Sequence, residues 1–138
     1  AKAIDELADR FKDCGASKIV AADARGFIFG APMAYNMGIG FVPVRKPGKL
    51  PYKNMCVDYD LEYGSDTLCM HVDALEKGEK VLIIDDLLAT GGTLGGMIQL
   101  VEQAGADIVG VGFVIELGFL DPGDNLKGYD YKALVTID

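Results

Sequence analysis

Short apolar runs alternate along this chain with segments whose apolar positions recur every three or four residues. Ile4, Leu7, Ala8 and Phe11 share one face of a helix predicted over residues 3–14, with Gly15 as its stop. Lys18–Asp23 reads as a buried strand. Ala24-Arg25-Gly26 then reads as a tight turn, and Phe27–Met37 as a helix that tolerates Gly30 and carries Pro32 near its first turn. Phe41–Arg45 is a second strand, followed by a Pro/Gly/Lys-rich loop over residues 46–54. Residues 56–63 and 67–72 alternate like two strands around Gly64-Ser65-Asp66, a hairpin pattern. Lys80–Ile84 is a further buried strand. Ile98, Leu100, Val101 and Ala104 form the apolar face of a helix over residues 94–104. Ile108–Leu117 and Tyr131–Ile137 complete the series.

Strands that are apolar on both faces and alternate with helices belong in a parallel sheet covered on both sides. The predicted class is therefore α/β: a central, mostly parallel sheet with helices on both faces, in one domain over residues 1–138. In such sheets ligands bind beyond the carboxyl ends of the strands. Three loops lie at that edge, over residues 24–27, 45–50 and 85–93. Their convergence is the main argument from pattern alone for a single shared site.

Charge sharpens this picture. The net charge is −8, which opposes a general nucleic-acid or anionic-membrane surface. Between Phe41 and Asn54, however, lie Arg45, Lys46, Lys49 and Lys53 with no acidic residue among them. A basic segment on an acidic protein is a focused patch, suited to a small polyanion. Apolar runs are too short to span a bilayer, and the opening residues do not resemble a signal peptide. Three cysteines, Cys14, Cys56 and Cys69, have no C-x-x-C spacing and read as reduced thiols of a cytoplasmic protein. The single His71 is assigned no role. The chain opens on Ala1 without an initiator methionine, as expected of a fragment, a processed product or a protein lacking a usual leading segment.

The most informative stretch runs from Val81 to Thr93. Its apolar strand leads into Asp85-Asp86, and then through Leu87-Leu88-Ala89-Thr90-Gly91-Gly92-Thr93 into a helix. A Gly-rich turn feeding a helix N-terminus cradles phosphate through backbone N–H groups. Paired carboxylates suit sugar hydroxyls or a metal ion. Alone, either half has an ordinary reading, as an exposed turn or a helix-start loop; together they fit a phosphorylated sugar. The stretch is neither a Walker A loop, since no Gly-Lys-Ser/Thr follows the turn, nor a dinucleotide G-x-G-x-x-G fingerprint.

This stretch resembles the phosphoribosyl pyrophosphate signature of the type I phosphoribosyltransferases, in the form found in their adenine-specific branch. The resemblance extends over nearly the whole chain from about Ile4. Ala24–Gly30 is similar to that family's pyrophosphate loop. Residues 41–51 resemble the start of its catalytic loop, and Tyr59-Asp60-Leu61-Glu62-Tyr63-Gly64 the segment that ends it, forming a flexible hairpin over the site. The implied reaction transfers a 5-phosphoribosyl group from phosphoribosyl pyrophosphate to adenine, giving AMP and pyrophosphate in purine salvage. Arg25 and Gly26 are then the expected pyrophosphate contacts, with Arg45, Lys46 and Lys49 closing over the leaving group. Ala89, Thr90, Gly91, Gly92 and Thr93 would hold the 5′-phosphate. Asp85 and Asp86 would hold the ribose hydroxyls, with Mg²⁺ carried mainly by substrate oxygens. Glu62 matches a loop glutamate that assists proton movement on the base; its plainer reading is a strand-edge surface acid. Phe27 and Leu117 either contact the base or serve packing. A homodimer with no nucleic-acid or membrane partner is implied as well.

The resemblance also places a leading segment over the base, and that segment does not precede Ala1 in this sequence. Two alternatives stay open: transfer to another base (hypoxanthine, guanine, xanthine or orotate), or a non-catalytic regulator that binds phosphoribosyl pyrophosphate or a nucleotide.

Overall fold

The computed structural model describes residues 2–22, 25–48, 53–61, 64–88, 92–117 and 131–137. In chain order the elements are α1 (Lys2–Phe11), β1 (Lys18–Ala22), α2 (Arg25–Met37), β2 (Gly40–Val44), β3 (Asn54–Leu61), β4 (Gly64–His71), β5 (Lys80–Leu88), α3 (Gly92–Gln103), β6 (Asp107–Leu117) and β7 (Tyr131–Ile137). Five strands form one sheet in the order β2-β1-β5-β6-β7, and every neighbouring pair is parallel. β3 and β4 form a separate antiparallel pair. Among the described residues no helix is long and apolar enough to cross a membrane.

The sheet is doubly covered, and β5 shows why its sequence is apolar at consecutive positions. Val81 and Ile83 enter a core shared with α3 and the β3–β4 hairpin. Leu82 and Ile84 enter the opposite core, built with Leu7, Phe11 and Met33 of α1 and α2. Successive strand side chains point to opposite faces, so a strand buried on both needs no polar positions. Complete burial of each such side chain contributes roughly 1.5–3 kcal/mol.

Two glycines of β6 let α1 reach the sheet. A β-carbon on Gly110 would lie 2.7 Å from Phe11 Cε1 and 2.9 Å from Leu82 Cδ2; one on Gly112 would lie 2.8 Å from Ile84 Cδ1. Those gaps are too small for carbon–carbon contact, so the aromatic ring occupies the space the missing side chains leave. Arg10 Nη1 donates to the Ala133 carbonyl at 2.8 Å, and Lys132 Nζ sits 5.5 Å from the Phe11 ring centroid, fastening the same helix to β7. Gly110→Ala should therefore destabilise the fold by about 1–3 kcal/mol through overpacking. The urea midpoint should drop, and Phe11→Leu in the same chain should restore part of the loss. An unchanged midpoint in the single variant would contradict this packing account.

The amino-terminal edge of the sheet is stitched by structural contacts. The Ser17 hydroxyl donates to Glu79 Oε2 at 2.6 Å, and Lys18 Nζ bridges Glu79 Oε1 at 3.2 Å while donating to the Ala74 carbonyl. Burial raises the Glu79 pKa, but the bonds from Ser17, the Glu76 amide and Lys18 outweigh it and hold the carboxyl below its ordinary range. This edge is occupied by its own polar groups.

Several boundaries differ from the sequence expectation. α1 ends at Phe11, because the Cys14 amide bonds only to the Phe11 carbonyl, one turn back in the tighter i−3 pattern. α2 begins at Arg25, so Arg25-Gly26 is its first turn rather than a preceding bend. β5 continues through both aspartates to Leu88, since β6 runs beside it that far (Leu88 pairs with Glu116). β4 already begins at Gly64, paired with Leu61, so Gly64-Ser65-Asp66 belongs to the strand rather than to a turn. The expectation of three reduced thiols is corrected too. Cys56 and Cys69 are joined in a disulfide, and Cys14 is the free cysteine. Antiparallel register places the two directly opposite each other, a proximity that sequence spacing does not reveal.

Candidate active site

The carboxyl ends of β2, β1 and β5 lie side by side. Ala22 pairs with Val44, and Ala21 pairs with Ile84. The next residues outward are therefore Arg45 from β2 and Asp85 from β5, with the end of β1 between them. Neighbouring strands are about 4.8 Å apart, so two spacings, on the order of 10 Å, separate the Arg45 and Asp85 backbones. This is the edge where three loops were expected to converge, and the backbone brings their described parts together.

Asp85 reaches α2. A β-carbon on Gly26 would lie 3.2 Å from Asp85 Oδ1 and 3.5 Å from the Ile84 carbonyl oxygen. Without a side chain, Gly26 allows the first turn of α2 to sit directly against the end of β5. α2 has no acidic residue of its own in that turn, and the half-buried Asp85 carboxylate supplies one there, where the helix dipole favours negative charge. α3 opens at Gly92, again with no acid in its first turn. Its N-terminal N–H groups and dipole make that end attractive to an anion.

Arg45 is fixed by an unanticipated partner. Its amide donates to the Cys69 carbonyl at 2.9 Å, and the Cys69 amide donates back to the Arg45 carbonyl at 2.8 Å, an isolated antiparallel bridge to β4. Lys46, next along, is exposed. The Val72 amide donates to the Lys53 carbonyl at 3.0 Å. Arg45 and Lys53 are thus bonded to one stretch of chain, at Cys69 of β4 and at Val72 just beyond its end. No motif marked β4 as the support; its alternating pattern identified a strand but not a partner.

Phe27 packs edge-on against Phe41, with ring centroids 5.4 Å apart and planes at 86°, so packing accounts for this contact. For Arg25, Asp86, Gly92, Thr93 and Leu117 the backbone gives the placement: Arg25 opens α2, Asp86 lies in β5, Gly92 and Thr93 open α3, and Leu117 ends β6, beyond Glu116, which pairs with Leu88. All five lie at the same sheet edge. Lys49, Glu62, Ala89, Thr90 and Gly91 lie outside the described residues. Among the described residues there is no group of three or more His, Cys, Asp or Glu side chains able to hold a metal ion.

Comparison with known proteins yields consistent relatives. The model of the phosphoribosyl transferase domain matches residues 2–132. An adenine phosphoribosyltransferase of Solidesulfovibrio magneticus is 69% identical over 136 residues, spanning 99% of this chain and 80% of the relative. The crystal structure of adenine phosphoribosyltransferase from Thermoanaerobacter pseudethanolicus superposes with a TM-score of 0.95 at 48% identity, covering 99% of this chain and 79% of that one. The Saccharomyces cerevisiae enzyme, crystallised with an imino-altritol bisphosphate and adenine, superposes with a TM-score of 0.85 at 39% identity, covering 96% and 76%.

Proposed function

The chain belongs to the phosphoribosyl transferase family, and from that premise we propose that it is an adenine phosphoribosyltransferase of purine salvage. It joins adenine to the 5-phosphoribosyl group of phosphoribosyl pyrophosphate, giving AMP and pyrophosphate. The observation that carries this reading is the common edge at which Arg45–Lys46 and Asp85–Asp86 flank the end of β1. A basic side faces the leaving pyrophosphate, and an acidic side faces the ribose.

The base attacks C1′ as the bond from C1′ to the pyrophosphate oxygen breaks. Positive charge develops on the sugar ring while the leaving group takes the electron pair. Cations and N–H groups at that leaving group stabilise the transition state more than the bound substrate. Arg25, Arg45, Lys46 and Lys49 serve there, and Gly26 lets the α2 N-terminus approach. The turn from Ala89 to Thr93 takes the 5′-phosphate at the start of α3. Asp85 and Asp86 accept hydrogen bonds from the ribose hydroxyls. Glu62 assists loss of the adenine proton, and Leu117 borders the base.

A hard carboxylate at this edge fits a magnesium ion carried mainly by substrate oxygens and water. Asp85 or Asp86, which lie on opposite faces of β5, would supply the one protein contact. When bound, the ion would neutralise charge on the pyrophosphate oxygens. A cytoplasmic homodimer belongs to the same proposal.

The test is AMP formation by the purified chain from phosphoribosyl pyrophosphate and magnesium, with adenine, hypoxanthine, guanine, xanthine and orotate compared side by side. The same preparation is sized by sedimentation. Adenine should be preferred by at least about a hundredfold in kcat/KM, because a site built to hydrogen-bond an amino group leaves buried partners unpaired with an oxo-purine. Preference for a 6-oxopurine would overturn the adenine assignment. Binding without turnover of any base would favour a regulator, and a monomer would remove the dimer.

A further inference from the structure

We propose that Phe41 is a positioning residue for the pyrophosphate half of the site, acting through the first two turns of α2; the identity of the anion rests on the transferase reading. Two glycines four residues apart show where α2 touches the sheet. A β-carbon on Gly26 would lie 3.2 Å from Asp85 Oδ1 of β5 and 3.5 Å from Ala21 Cβ of β1. One on Gly30 would lie 2.8 Å from the same Ala21 Cβ and 3.0 Å from Phe41 Cε1 of β2. Residues four apart share a helix face. The helix therefore starts over β1 and β5 and, one turn later, lies over β1 and β2. The Phe41 ring fills the notch at Gly30 and meets the Phe27 ring edge-on, with centroids 5.4 Å apart and planes at 86°.

A helix resting on one point can pivot about it. At Gly26 the nearest neighbour is a carboxylate, a side chain able to yield, so that contact alone leaves the angle of α2 loose. Phe41 supplies the second point. Its contact with Phe27 carries the constraint back to the residue beside Gly26, in the turn whose N–H groups are assigned to the leaving pyrophosphate. Aromatic rings meet in a preferred relative orientation, so the pair fixes direction as well as distance, which an aliphatic side chain would not do. β2 is the outer strand of its sheet, and no further strand of that sheet backs the contact. Phe41 and Phe27 are both half-buried, outside the fully buried core, so losing the ring disturbs the seat of α2 more than the fold. Phe41 itself is assigned no contact with substrate.

The test titrates pyrophosphate with magnesium into the full chain and into Phe41→Leu by calorimetry, at a temperature where urea titration shows both folded. Phe41→Leu should bind pyrophosphate about tenfold more weakly, a part of the order of 10² that a 1 Å misplacement costs. Ribose 5-phosphate, whose phosphate is assigned to the start of α3, should bind both chains alike. Phe41→Tyr keeps the ring and should bind pyrophosphate like the parent. In the steady state the loss should fall on KM for phosphoribosyl pyrophosphate, with KM for adenine unchanged. A phenylalanine that serves packing alone would lower the urea midpoint and leave the pyrophosphate affinity of the folded chain intact, and that result would overturn the proposal. Equal weakening toward both ligands, or Phe41→Tyr as weak as Phe41→Leu, would overturn it too. Should Phe41→Leu not fold, Phe27→Leu opens the same contact from the helix side and must show the same selective loss of pyrophosphate affinity. A parent chain that binds pyrophosphate but forms no AMP would remove the proposed activity, and the calorimetric comparison would still decide the role of Phe41. A parent that binds no pyrophosphate would remove both.

Discussion

Asp86→Asn is expected to lower kcat/KM for phosphoribosyl pyrophosphate about a hundredfold, with urea stability unchanged, when AMP formation is followed at saturating adenine. The variant keeps the size of the side chain and removes its charge. A carboxylate on the ribose hydroxyls accepts charge-assisted hydrogen bonds, and these gain strength as the sugar becomes cationic. Loss of a single such group at a developing charge typically costs on the order of 10²–10³ in rate. Asp85→Asn should have the smaller effect on rate, because the Asp85 carboxylate lies against the first turn of α2 and is partly committed to it. Adjacent residues of an extended strand point to opposite faces, so the two acids divide the work. Equal activity of Asp86→Asn and the parent would remove the acidic half of the proposed site. A larger loss from Asp85→Asn would reverse the division of roles.

The architecture was legible because each strand carries its environment in its residues. Val81–Ile84 has no polar position, and both cores close on it, so apolarity alone implied two covered faces. The candidate site's location followed, since parallel strands place all their carboxyl ends at one edge. What escaped the sequence depends on contacts between distant segments. Nothing near Arg45 in the chain indicates that it bonds to Cys69, because the partner belongs to a different sheet. The disulfide was misread for the same reason: Cys56 and Cys69 look unrelated until the hairpin register sets them opposite. Boundaries slipped where tertiary pairing extended an element, as when β6 drew β5 through the two aspartates to Leu88. Arg25-Gly26 was read as a bend because glycine marks turns, whereas here its missing side chain serves a close approach between a helix and a strand end.

That close approach gives the second large effect. Gly26→Val should reduce kcat/KM by about a hundredfold and should also cost some stability, since Gly26 is buried and an added side chain would meet Ala21 as well as the end of β5. The added β-carbon would stand 3.2 Å from Asp85 Oδ1 and 3.5 Å from the Ile84 carbonyl oxygen, and the branched methyl groups would need more room still. The carboxylate is the part that can yield, so it swings away from α2, or the helix start moves outward. Either displacement separates two groups that the proposed site uses together: the N-terminal N–H groups assigned to the pyrophosphate and the acid assigned to the ribose. Misplacement by about 1 Å is enough to cost on the order of 10²-fold. Gly26→Ala should fall between the parent and valine, because its β-carbon is tight but can be relieved by a few tenths of an ångström. A graded loss across glycine, alanine and valine, read in kcat/KM at a temperature where urea titration shows each variant folded, is the expected series. Parent-like activity in Gly26→Val would mean that α2 and β5 do not cooperate at one site.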